Sequence, residues 1–506
     1  MKIPHAFFCI LILLLGASSC IQPAGNRIIT SVSELPLPAV SLQAATPLHF
    51  QHSFNVLSPE VLKERVGRIQ YMSETEDELT YDKLTGESKK LQQVTREQAI
   101  EDINYLFLVL KHGYAGYGLF NQNDAFSKAQ TAISDELEKM DSISRDQLLT
   151  IITGYLSFID TGSIKIGGKG FFTPSKYYYW DKLDFAHGSG NYYYQSSKGA
   201  VRLISVNGLQ PSDFMKLSLN NKGDPAYQLG VLAKANPGKF TLELVGEDGT
   251  NYCLSDNWAD SPFSESNPFY SRSKQDGVTI IAVGSLNGKA EEVQSFNNDA
   301  KELKKEPFII VDLRGNSGGN SGIAADWVTN LTGSEPVWPD TYTVLTTRTT
   351  LAGSIASYAA NPNLPKEYTD EALAKLKSLT DGKEKRGWSE LEVPTFSTIP
   401  NSGQLIVVLV DRRTGGADVF AKYLKQLNNV VIIGENTFGG GIFGDNTRYL
   451  LPNSGLTLIL QYKIFAPTDF NNSSDISLKP DLWVPAADAL PRVLAAIKKG
   501  WLQPGD

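Results

Sequence analysis

The chain has 506 residues, of which 41% are hydrophobic and 20% charged, and its formal net charge at neutral pH is −8. This acidic balance argues against a nucleic-acid-binding function, which needs a basic surface. The apolar content is sufficient for packed cores in roughly three domains. Three cysteines and five histidines leave no cysteine-based metal site, and we expect neither a metal nor a cofactor.

The first twenty residues, 1–20, form a predicted targeting segment. Lys2 supplies a positive start, Ala6–Leu15 an apolar run, and Ala17–Cys20 a small-residue site that ends in cysteine. This ending resembles a bacterial lipoprotein signal, in which Cys20 would become the acylated first residue. The predicted location is therefore the cell envelope, with a lipid anchor in a bacterial membrane on its periplasmic or surface side. A secretory signal cleaved nearby, or a short anchor, remains the alternative.

The cysteines predict no disulfide framework, because Cys9 would leave with the signal and Cys20 would be acylated. Residues 21–94 begin rich in Pro, Ser and Ala, so we interpret them as a tether and N-terminal segment.

A helical cap is predicted over residues 95–165. Thr95 with Gln98 forms a capping-box pattern, and Ser144 with Gln147 forms a second one, each followed by apolar residues at helical spacing. His112 lies in the first of these helices, and we interpret it as a structural or surface residue.

Residues 166–265 are rich in β-forming residues and predict an all-β insert. Two runs of three tyrosines, Tyr177–Tyr179 and Tyr192–Tyr194, are interpreted as faces of strands.

The last and largest unit is predicted over residues 275–500. The run Phe308–Val311 is typical of a strand in the middle of a covered sheet. Asp312 and Arg314 follow at its carboxyl end, where open α/β sheets bind ligands. Three glycines in the next turn, which free the backbone to direct N–H groups at a ligand, are Gly315, Gly318 and Gly319.

A second strand, Gln404–Val410, runs into a turn and helix of sequence DRRTGGADVFA, and a third ends in GENTFGGG. With the earlier DLRGNSGG, these motifs resemble the core of the tail-specific, or C-terminal processing, serine peptidases (serine peptidase family 41), in the branch that includes the tricorn core. The resemblance implies an α/β fold class: a crotonase-like (ClpP-like) core, preceded by the helical region and carrying a PDZ-like β insert.

The resemblance also implies three catalytic positions, and none of them carries the family's residue. Alignment on Asp418 places the nucleophile at Gly415, which has no side chain. The Asp-x-Gly-His histidine that serves as base corresponds to Ser163, and the orienting glutamate corresponds to Ser474. Thr414 is one position from the nucleophile and is the possible displaced hydroxyl.

The surrounding scaffold matches the active relatives, and we expect it to bind an extended peptide by strand addition. The expected binding residues are Asp312, Arg314, Gly315, Asn316, Gly318, Gly319, Gly416, Asp418 and Glu435. The sequence thus predicts an exported lipoprotein with a peptidase fold that is catalytically inactive and binds peptide or protein. Two alternatives stay open: an active serine peptidase with displaced groups, and a structural or adhesive surface lipoprotein.

Overall fold

The computed structural model describes residues 26–29, 32, 35, 48, 50, 58–162, 164–262, 268–362, 364–401, 403–439, 442–467 and 477–505. Its helices are α1 (Pro59–Gly67), α2 (Tyr81–Thr85), α3 (Arg96–Gly113), α4 (Tyr117–Phe120), α5 (Ala125–Leu137), α6 (Arg145–Tyr155), α7 (Ala290–Glu302), α8 (Ser321–Thr332), α9 (Arg348–Ala359), α10 (Lys366–Thr380), α11 (Asp418–Leu424) and α12 (Ala489–Lys498). Among these helices, none is long and apolar enough to span a membrane.

The strands form three large sheets and one small pair. They are β1 (Asn26–Ile29), β2 (Gln93–Thr95), β3 (Ser142–Ser144), β4 (Lys165–Ile166), β5 (Lys169–Gly170), β6 (Lys176–Gly188), β7 (Asn191–Ser196), β8 (Gly199–Val206), β9 (Met215–Leu219), β10 (Pro225–Ala233), β11 (Lys239–Gly246), β12 (Asn251–Asn257), β13 (Ala259–Asp260), β14 (Ser271–Gln275), β15 (Val278–Ala282), β16 (Phe308–Asp312), β17 (Asp340–Thr346), β18 (Gly387–Trp388), β19 (Leu405–Val410), β20 (Val430–Gly434), β21 (Phe443–Leu450), β22 (Thr457–Pro467) and β23 (Leu482–Trp483).

Helices α3 to α6 form the helical cap, and both predicted capping boxes are present. The Thr95 side chain accepts from Gln98 N, and Gln98 accepts in return from Thr95 N. Ser144 and Gln147 do the same at the start of α6. The core of the cap also contains buried side chains of β21 and β22, so the cap packs directly on the body of the protein.

The insert is a nine-stranded sheet of order β1-β12-β11-β8-β7-β6-β10-β9, with β13 paired to β6. Within the described residues 164–262 its only helical turn is a 3₁₀ turn, Pro211–Asp213. Strand β1 pairs parallel to β12, so part of the expected tether is an edge strand of this sheet. Cys253 on β12 is disulfide-bonded, and the expectation of a chain without disulfides is therefore wrong.

The core sheet has the order β14-β15-β16-β19-β20-β23 and is parallel except at β14. All six residues of β19 are buried. Helices α7, α8 and α11 pack on one face, and α12 packs on the other. A run of β-forming apolar residues is stable here because neither face meets water. The third sheet, β18-β17-β22-β4-β5 with β21, lies against the cap.

Asp312 and Arg314 form a buried ion pair at the carboxyl end of β16. Arg314 Nε lies 2.8 Å from Asp312 Oδ1, and Nη2 lies 2.6 Å from Oδ2. Only 11% and 6% of the two side chains are exposed. Arg314 also donates to the carbonyl of Ala486, just before α12. The pair thus joins the turn after β16 to the C-terminal helix.

We predict that Arg314→Ala lowers the free energy of unfolding by about 3 kcal/mol, because Asp312 would keep a buried charge without its partner. Denaturant titration measures this change. Arg272→Ala is the matched control, since Arg272 pairs with Glu302 at 3.0 Å on the surface and should cost less than about 1 kcal/mol. Equal costs for the two variants would contradict the prediction.

Candidate functional site

The turns that follow β16 and β19 are hydrogen-bonded to each other. Leu313 N donates to Leu409 O at 2.9 Å, Gly415 N donates to Asn316 O at 3.0 Å, and Gly416 N donates to Ser317 O at 3.1 Å. The contact between the two parallel strands therefore continues past their ends, into the turns where the sequence placed the nucleophile.

Glycine is required where these two turns meet. A Cβ added to Gly415 would lie 2.8 Å from the Ser317 carbonyl oxygen, and a Cβ added to Gly318 would lie 2.9 Å from Gly416 Cα. Gly318 also has φ = +116°, which side-chain-bearing residues rarely adopt. A side chain at position 415 would therefore require the Ser317 backbone to shift.

Several N–H groups of the first turn, which we expected to face a ligand, bind the protein itself. Gly315 N donates to Asp411 Oδ1, and Gly318 N donates to Asn316 Oδ1, both at 2.9 Å. Asn316 is fully buried and donates from Nδ2 to Val283 O. Ser317, Gly319 and Gly416 are exposed, so the surface at this point is formed mainly by backbone.

Thr414 has no exposed surface, and its hydroxyl holds the second turn together. Oγ1 donates to Leu313 O at 3.0 Å and accepts from Asp411 N at 3.1 Å. Asp411 itself, 1% exposed, was missed by the sequence reasoning. It comes directly after β19, and Asp312 is the last residue of β16, so an acidic residue at the end of each strand was the available signal.

Glu435 is buried where the core meets the insert. Its Oε1 accepts from Ala486 N at 2.8 Å, and that same N–H lies 3.2 Å from the hydroxyl of Ser261. Only 1% of Glu435 is exposed, and burial raises the pKa of its carboxyl group from 4.5 to about 7. Ser261 was not singled out from the sequence.

Further bonds join the insert to the loops of the site. Arg412 donates to Asp260 at 2.8 Å, and Asn436 donates to Ser175 O at 2.9 Å. Phe438 N donates to Thr414 O at 2.8 Å, and the Phe438 ring packs edge-on against Phe172. The insert is therefore fixed against the second turn.

Asp418 begins α11, and its side chain is 22% exposed. Lys422 lies 3.7 Å from it and 3.1 Å from Asp340. Burial raises the pKa of the Asp418 carboxyl group, while Lys422 opposes this effect.

Two of the three predicted catalytic positions, Ser163 and Ser474, lie outside the described residues, as does Cys20. His112 is buried at the end of α3, with Nδ1 2.6 Å from Ser73 Oγ, and burial lowers its pKa. Within the described ranges, no group of three or more His, Cys, Asp or Glu side chains is placed to hold a metal ion.

Comparison with known proteins identifies the class. Residues 277–484 match the model of peptidase family S41, so this part of the chain is a family S41 domain, and the family inferred from the three motifs is confirmed. No protein of curated function matches the chain.

Among solved structures, mature CPAF is 14% identical over 80% of this chain and 96% of its own, with a TM-score of 0.42. The photosystem II D1 C-terminal processing protease is 14% identical over 78% and 94%, with a TM-score of 0.34. A lipoprotein from Streptococcus agalactiae is 13% identical over 81% and 96%, with a TM-score of 0.35. With TM-scores below 0.5, these likenesses carry no further argument.

We predict that Glu435 makes the protein less stable as the pH rises from about 4.5 to about 7. The unfolded chain loses this proton near pH 4.5, whereas the folded protein keeps it until about pH 7, so folding takes up a proton in this range. The contribution to the free energy of unfolding is greatest below pH 4.5 and falls by about 3 kcal/mol by pH 7.

Denaturant titrations across this range, for the unmodified protein and Glu435→Gln, measure the difference. The variant should lack this part of the pH dependence, whereas Glu390→Gln, at an exposed carboxylate, should keep it. If Glu435→Gln kept the same pH dependence as the unmodified protein, the Glu435 carboxyl group would not be its source, and the prediction would be contradicted.

Proposed function

We propose that this protein has a peptidase fold without serine peptidase turnover and that it binds a peptide or protein. The observation that carries the proposal is the backbone contact at Gly415, where an added Cβ would lie 2.8 Å from the Ser317 carbonyl oxygen. The proposal includes three finer points. The core is crotonase-like, the insert is PDZ-like, and Gly415, Ser163 and Ser474 stand at the positions of the family's catalytic residues.

Acyl transfer by serine needs a nucleophile, a base and N–H donors for the developing oxyanion. Gly415 supplies no hydroxyl. The N–H groups of Gly415 and Gly416 already donate to carbonyl oxygens of the first turn. An oxyanion could be bound by these two groups only if the turns separated, at the cost of both hydrogen bonds. These features support the absence of turnover.

Peptide binding is supported by the family match and by the exposed backbone around Ser317, Gly319 and Gly416. Gly416 N already donates to Ser317 O, so an extended peptide that lies along this surface would pair with other backbone groups of the turns, in the mode of strand addition. Asp312, Arg314, Asn316 and Glu435 would act indirectly, because each is held in bonds that shape the turns.

An active peptidase that uses Thr414 is the second candidate, and the family match is what favours it. Its Oγ1 would have to leave the Leu313 carbonyl and reach solvent, which opposes this role. A structural or adhesive lipoprotein is the third candidate. The surface around the two turns would then have no binding role, so substitutions at Gly416 would leave ligand binding unaffected.

We predict no measurable cleavage of unstructured peptides and no labelling by a serine-directed fluorophosphonate. Loss of a whole triad costs on the order of 10⁶-fold in turnover. Gly415→Ser should remain inactive and should also lose about 1–3 kcal/mol of stability, because its Cβ meets the Ser317 backbone. Peptide cleavage, labelling and denaturant titration measure the three effects.

Gly416→Ser is the matched control for stability, since a Cβ there would lie 3.6 Å or more from its neighbours. Thr414→Ala and Ser317→Ala test for a relocated nucleophile. Robust cleavage by the unmodified protein that either substitution abolishes would overturn the proposal in favour of an active peptidase.

We also propose that the protein is a lipoprotein anchored through Cys20 at the cell envelope. The support is the Ala17–Cys20 ending. Cys253 is disulfide-bonded, and Cys9 and Cys20 are the only other cysteines in the chain. A sulfur that carries a lipid cannot also form a disulfide, and Cys9 would leave with the signal. In the acylated mature protein Cys253 would therefore have no cysteine of the same chain to pair with, so its disulfide opposes this proposal.

We predict that Cys20→Ser releases the chain from membranes or blocks its processing, whereas Cys253→Ser leaves anchoring unchanged. Membrane fractionation and the mass of the mature N-terminal peptide measure both variants. The lipid anchor is excluded if Cys20→Ser keeps its membrane association and mature mass, or if mature Cys20 is found in a disulfide.

A further inference from the structure

A solvent-open cleft of about 370 Å³ lies in the helical cap, between the end of α5, strand β3 and the first turns of α6. Its lining consists of Glu136, Met140, Ile143, Asp146, Gln147, Thr150 and Ile151. The volume falls within the range of small ligand sites. None of these residues belongs to the turns around Gly415.

The lining combines an apolar floor with negative charge. Met140, Ile143 and Ile151 supply the apolar surface, and Glu136 and Asp146 supply two carboxylates. No lysine or arginine lines the cleft. Within the described part of the chain, neither carboxylate takes part in an ion pair. The cleft therefore presents negative charge that no basic side chain of its lining neutralises.

Three contacts hold the walls in place. The Tyr155 hydroxyl donates to Glu136 Oε2 at 2.9 Å. Gln147 is held by the capping box at Ser144, and the Thr150 hydroxyl donates to Asp146 O at 2.9 Å. Because the Glu136 carboxylate and the Gln147 side chain are already held, a ligand would lose less entropy in arranging them.

We propose that this cleft binds a lysine or arginine side chain presented by a basic segment of a partner protein. Such a side chain has an apolar stem and a cationic tip, so the stem can lie on the apolar floor while the tip reaches the carboxylates. Met140 adapts its shape easily, which suits a surface that receives a flexible chain. The net charge of −8 would attract a basic segment from a distance.

The experiment uses the full chain and a blocked hexapeptide of alternating lysine and leucine, with a glutamate–leucine peptide for comparison. Binding is measured by calorimetry. The basic peptide should bind and the acidic one should not. The double variant Glu136→Gln with Asp146→Asn should bind the basic peptide about fivefold more weakly. Raising the salt concentration should weaken binding to the unmodified protein, because these charges are partly exposed.

Asp135→Asn with Glu138→Gln is the matched control, since both carboxylates lie beside Glu136 but outside the lining. It should bind as the unmodified protein does, and thermal melting checks that both double variants remain folded. Equal weakening in the two double variants, or equal binding of the two peptides, would overturn the proposal. The result does not depend on turnover at Gly415, so this proposal and the proposed function can fail separately.

Discussion

The contact between the two glycine turns is the constraint on which the arrangement of the core depends. Parallel strands β16 and β19 lie side by side, and their pairing extends past the strand ends through Gly415 and Gly416. Two hydrogen bonds and the absence of a Cβ at Gly415 allow the backbones to approach closely. A side chain at position 415 would require the Ser317 backbone to shift, and the N–H groups of Gly415 and Gly416 are engaged in hydrogen bonds within the protein.

Buried polar groups keep the two turns in position. The ion pair of Asp312 and Arg314 connects the first turn to Ala486, which lies just before α12. Asp411, directly after β19, accepts a hydrogen bond from Gly315 N in the first turn. Glu435 continues this arrangement towards the insert. Asp312, Arg314 and Asp411 are held by partners, as buried charges must be to remain inside a protein. The turns are therefore bonded to the sheet that carries them, and the insert is linked to them.

Much of the fold could be predicted because the signals are local. The apolar run 308–311 and the glycine turn after it define a buried strand and its end, and the capping boxes at Thr95 and Ser144 define two helix starts. These patterns depend on neighbouring residues alone. The pairing of β1 with β12 was missed because it joins residues more than two hundred positions apart. The disulfide at Cys253 was missed because Cys9 was assigned to the cleaved signal and Cys20 to the lipid anchor.

The sequence by itself determined the family and the absence of a side chain at position 415, because each depends on residue identity and motif order alone. Only the tertiary structure decided what fills the place of that side chain. The N–H groups of Gly315 and Gly318, which were expected to face a ligand, donate instead to Asp411 and Asn316, and Thr414 is buried. Hydrogen-bond partners and burial depend on how distant segments pack, and packing is a property of the whole fold.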